Sequence, residues 1–157
     1  MKINSIITGI IVFTGFFATA QTQLMEKPDV MIEDQSRYGF AETISQLSGI
    51  IVEKGWKITT THDLQATMKK NGKDVLPVSV IELCSPNHAF QILSMDQFRD
   101  VSPMLPCRIS VYEKSDGKTY ISRMNAPVFA GMIGGEAGKT IGQAFSETEE
   151  MVRKIIR

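Results

Sequence analysis

The chain of 157 residues carries 17 Lys+Arg against 17 Asp+Glu, 43% hydrophobic residues and 2 Cys, which is the length and make-up of one ordinary globular domain. Balanced charge excludes a protein that grips nucleic acid through its phosphates, since that needs a basic stripe. The apolar content excludes a disordered polyampholyte, and two cysteines are too few to staple a mini-protein.

Met1-Lys2 precedes an uncharged run from Ile3 to Ala20, apolar at Ile6-Ile7 and Ile10-Ile11-Val12-Phe13, that ends in Ala18-Thr19-Ala20. A basic start, an apolar centre and a small-x-small exit describe a secretory leader cleaved after Ala20. A spanning helix needs about 20 apolar residues, more than this run supplies. The expectation is an exported protein, periplasmic or secreted, with no stable membrane span once the leader is gone. No Cys stands near the cut, so no lipidated amino terminus is expected. The leader contains Lys2 as its one charge, so the mature chain from Gln21 keeps 16 of the 17 basic residues against 17 acidic ones.

Residues 21–29 are polar, contain Pro28 and read as a linker. Val30 and Ile32, alternating with Met31 and Glu33, predict a first strand over 30–33. Phe40, Ile44, Leu47 and Ile51 gather on one face of a helix over 40–54, with Ser36 as a possible cap upstream and Gly55 as the stop. Residues 56–61 read as a strand with Trp56 and Ile58 inward. Asp63 is an N-cap for a short helix over 64–70. The β-branched run 78–84 predicts a central strand, and Ser85-Pro86 a helix directly after it over 87–95. Ser115-Asp116-Gly117 predicts a hairpin between strands 107–113 and 118–124. From Asn125 onward Pro127 and the glycines at 131, 134, 135, 138 and 142 interrupt every period, and a last helix becomes clear only at Ser146. The sum is one α+β domain over 30–157, two-layered, with a mostly antiparallel sheet packed with helices.

The segments Gly39-Phe40, Gly55-Trp56, Asp63-Leu64-Gln65-Ala66-Thr67-Met68, Glu82-Leu83-Cys84-Ser85-Pro86-Asn87-His88-Ala89, Met104-Leu105-Pro106-Cys107 and Val111-Tyr112-Glu113 resemble the domain of unknown function 302 family. The likeness runs from about Val30 to the end. It implies a TATA-box-binding-protein-like α+β fold and a homodimer. It implies no DNA binding, which belongs to other proteins of that fold, and no agreed activity. The family's Cys-Asn-Pro stands here as Cys84-Ser85-Pro86.

Cys84 and Cys107 are the main candidates for chemistry. One reading is a structural disulfide, worth about 3 kcal/mol for a loop of this size. A second is a pair of buried inert thiols. The resemblance implies the same two positions in members without an export signal, where a pair stays reduced. The third reading is a functional site with His88, because Cys84 directly before a helix and His88 in its first turn can face one spot. A thiol at a helix N-terminus has a lowered pKa. Met104 and Cys107 complete a soft donor set that suits copper or haem. For His88 the plainer reading is an exposed or capping residue. Gly134 to Thr140 lacks phosphate-loop spacing, and a flexible or dimer-contact loop fits it better. Eight methionines outside the leader are scattered, as core filling scatters them. His62 beside Asp63 fits a helix cap, and no nucleophile–base order stands out. The sequence predicts a non-enzymatic, homodimeric ligand-binding domain with its site near Cys84, His88, Met104 and Cys107. A thiol-redox or stress-response enzyme using the two cysteines is the alternative, and an interaction module with a Cys84–Cys107 bridge the third.

Overall fold

The computed structural model describes residues 30–157; the expected leader over 1–20 and linker over 21–29 lie outside the described residues. The chain runs β1 Met31–Gln35, α1 Phe40–Glu53, β2 Lys57–Asp63, α2 Leu64–Lys70, β3 Val78–Cys84, α3 Pro86–Leu93, a 3-10 segment Asp96–Met104, β4 Cys107–Glu113, β5 Thr119–Met124, α4 Ala126–Ile133 and α5 Gly135–Arg153. The strands form one sheet in the order β1-β5-β4-β3-β2, every neighbouring pair antiparallel. The expected α+β class and antiparallel sheet are borne out.

Period-two alternation makes one face of the sheet apolar. Ile81 and Leu83 of β3, Ile109 and Val111 of β4 and Ile121 of β5 are all buried. Leu47 and Ile51 of α1 and Phe145 and Val152 of α5 join them in one core. The opposite face carries Glu82, Arg108, Ser110, Tyr112, Tyr120 and Ser122, mostly polar, as expected of an antiparallel sheet with one solvated side.

Asp63 caps α2 as predicted, its carboxylate accepting from the Ala66 N–H at 2.8 Å. Asp63→Ala therefore lowers stability by about 1 kcal/mol while Asp63→Asn changes it little, read as a shift in the urea midpoint. Ser36 does not cap α1. Its hydroxyl meets that of Thr43 at 2.7 Å, and Gly39 holds the cap position without a side-chain bond.

The largest departure from expectation lies in the glycine-rich stretch. It is no loop: α5 starts at Gly135, eleven residues before Ser146, and packs along α4. Gly134 and Gly135 take φ of 67° and 57°, the left-handed region that lets the chain reverse between the two helices. A Cβ on Gly138 would lie 2.5 Å from the Ala130 carbonyl oxygen, so glycine is what allows α4 and α5 to approach.

Candidate functional site

The site is built where α3 and α5 cross the end of the sheet. Trp56, the one tryptophan, is only 3% exposed at the turn from α1 to β2. A buried indole needs an acceptor for its N–H. It finds Glu147 on α5, Nε1 donating to Oε2 at 2.8 Å. The other carboxylate oxygen of Glu147 takes Nε2 of His88, also at 2.8 Å. The Trp56 and His88 rings lie 6.0 Å apart at a tilt of 54°. Burial works against the Glu147 charge, but the hydrogen bonds from His88 and Trp56 prevail and hold its pKa below the usual carboxylate value.

This arrangement fixes the imidazole. In the tautomer that directs its Nε2 proton at the Glu147 carboxylate, Nδ1 carries a lone pair. Nδ1 is buried and has no hydrogen-bond partner. His88 lines a cavity of about 10 Å³ together with Met104 and Cys107, closed by hydrocarbon from Ile92, Ile141 and Phe145. The volume suits one water or one ion. A water needs two to four polar partners, and beside Nδ1 the side chains named here offer only sulfur and hydrocarbon. A ligating histidine commonly gives its second ring N–H to a carboxylate, which orients it and raises its basicity. Glu147 stands in that relation to His88.

Three of the four expected site residues, His88, Met104 and Cys107, thus share one cavity, and the plainer reading of His88 as exposed or capping does not hold. Cys84 is not on the cavity wall. The register explains why: Cys107 lies opposite Leu83, and Cys84, one residue on, points to the other face of the sheet. The expected bridge between them is therefore corrected; both cysteines are free thiols. The expected activation of Cys84 by the start of α3 is corrected as well, since burial raises its pKa instead. Burial, with a smaller contribution from Cys84, pushes Cys107 up to about 11. Both are protonated thiols near neutrality, poor nucleophiles as they stand. Haem finds no room, because a ligand of that size needs roughly 300 Å³ or more. Among the described residues no three His, Cys, Asp or Glu side chains converge on a metal position. An ion in this cavity depends on the Met104 thioether as third donor beside His88 and Cys107.

His62 is occupied elsewhere, its Nε2 3.2 Å from Glu82, which also meets Arg108 at 3.0 Å. Reasoning from sequence missed Glu147 and Trp56. The one available signal was the lone tryptophan beside a strand, whose burial demands an acceptor.

The family described as Domain of unknown function DUF302 matches residues 32–157. The fold is similar to the crystal structure of the uncharacterized conserved protein DUF302 from Bacillus stearothermophilus, with a TM-score of 0.69 and 21% identity over 80% of this chain and 97% of that one. No curated protein matches the chain. At that identity the structural likeness speaks for the fold alone, while the family match covers nearly all the described residues: the chain belongs to the DUF302 family.

Proposed function

We propose that this chain is a non-enzymatic binding domain that holds a single soft metal ion, Cu(I), in the cavity between α3, β4 and α5. The observation that carries this reading is the buried Nδ1 of His88, without a hydrogen-bond partner, on a ring that Glu147 holds through Nε2 and that lines a cavity with Cys107 and Met104. Imidazole, thiolate and thioether are donors that favour Cu(I), and among the described residues of the cavity wall oxygen-seeking cations find no carboxylate. Cys107 would hold the ion as its thiolate, the thiol proton passing to solvent. The separation of Cys84 from Cys107 across the sheet and the raised pKa of both thiols work against the thiol-redox alternative.

Competition with a Cu(I) chelator under reducing conditions checks the reading. His88→Ala and Cys107→Ser are each expected to weaken Cu(I) binding at this cavity at least about tenfold, and Cys84→Ser to leave it unchanged. Wild-type affinity in His88→Ala overturns it. The proposal places the domain outside the cytoplasm as a homodimer, supported by the leader-like run over 1–20 and by the resemblance to the family.

A further inference from the structure

Two rings meet on one carboxylate behind the inner cavity. The indole Nε1 of Trp56 donates to Oε2 of Glu147, and the imidazole Nε2 of His88 lies at the same 2.8 Å from Oε1. The two rings differ in what they can offer. An indole N–H only donates, whereas an imidazole nitrogen donates or accepts according to its tautomer. Trp56 is also the fixed member of the group. Its side chain is buried, and its backbone N–H is tied to the Ile51 carbonyl at 3.1 Å across the left-handed Gly55 that follows α1. Glu147, with 42% of its side chain exposed, has no such anchor of its own. A carboxylate so open to water holds a single histidine weakly. The buried indole keeps it turned inward.

What residue 147 presents to His88 is therefore decided at its other end. A carboxylate gives the indole one acceptor and still offers a second to Nε2, so the imidazole proton stays on Nε2. An amide in the same place has one acceptor. Trp56 would claim it, leaving the amide N–H for His88, whose Nε2 would then have to accept. The proton would pass to Nδ1, and the buried nitrogen without a hydrogen-bond partner would lose the lone pair that a metal needs.

We propose that Trp56 is a positioning residue for the inner site: by holding Oε2 of Glu147 it sets the tautomer of His88, with the proton on Nε2 and the lone pair on Nδ1. The consequence for metal binding rests on the Cu(I) reading above. The tautomer does not, because it belongs to the metal-free protein.

The test is ¹⁵N NMR of the His88 ring in the metal-free mature chain. Wild type is expected to show Nε2 protonated and Nδ1 bare. Glu147→Gln, close to isosteric, is expected to reverse this and to weaken Cu(I) binding in chelator competition at least about tenfold. Adding Trp56→Phe to Glu147→Gln frees the amide to turn its oxygen to His88. The proton is then expected back on Nε2, and most of the lost affinity with it. A role for Trp56 in packing alone predicts the opposite, since the second substitution would only add to the loss. A proton that stays on Nε2 in Glu147→Gln, or a double variant that stays reversed, overturns the proposal. Urea unfolding establishes that each variant is folded, and Glu147→Gln alone decides the matter if the double variant is not. Failure of wild type to bind Cu(I), with the proton still moving and returning as expected, removes the copper reading and leaves the role of Trp56 in setting His88 intact.

Discussion

Arg123→Ala is expected to cost about 3 kcal/mol of folding stability, the lower end of what breaking a buried ion pair costs. Arg123 is 4% exposed on the helix-facing side of β5. Its guanidinium binds Glu149 of α5 with two bonds, Nε at 2.6 Å and Nη2 at 2.7 Å, and reaches Asp34 of β1 through Nη1 at 2.5 Å. One side chain thus fastens the edge strand, its neighbour and the C-terminal helix. The variant leaves two carboxylates without a counter-charge, and Asp34, 35% exposed at its side chain, is the one that water can rescue. Replacing Arg123 by Met and Glu149 by Leu together removes both charges of the tighter pair and is expected to cost less than Arg123→Ala alone. Urea unfolding at neutral pH measures both. A loss below about 1 kcal/mol for Arg123→Ala would show that the pair behaves as an exposed one.

The second large effect belongs to the α4–α5 contact. Gly138→Ala is expected to destabilise by about 2 kcal/mol, even though alanine gains about 1 kcal/mol in helix propensity, because its Cβ would sit 2.5 Å from a backbone oxygen that cannot step aside. Gly142→Ala is the internal control. There the new Cβ meets Ala130 Cβ at 3.5 Å, ordinary contact, so only the propensity gain remains and stability should rise slightly. Equal effects of the two substitutions, in either direction, would contradict the packing described for this pair of helices.

The same glycines mark where reading the sequence stopped. The hairpin strands, β3 and α2 were legible because their signals are local: alternation, β-branching, an Asp cap and a turn dipeptide act within a few residues. In 126–145 each glycine argues against helix by its own entropy, and what overrules it is contact between α4 and α5, which no local pattern displays. The cysteines show a signal that was present but unused. Glu82 in β3 must face water, so Cys84, two residues on, shares its face, and Leu83 shares the face of Cys107. That His88, Met104 and Cys107 come to one place was legible in outline from the residues near Ser85-Pro86 and Leu105-Pro106. The groups that orient His88 were not. Glu147 lies 59 residues from His88 and 91 from Trp56, and only the fold brings them together.

The most direct test of the inner site is the ¹⁵N signal of the His88 ring in protein loaded with Ag(I) as the spectroscopic stand-in for Cu(I). Nδ1 of His88 should shift on loading, with Nε2 still protonated against Glu147 and the His62 ring unchanged. Ag(I) bound with the His88 Nδ1 resonance unmoved would contradict a metal at this cavity.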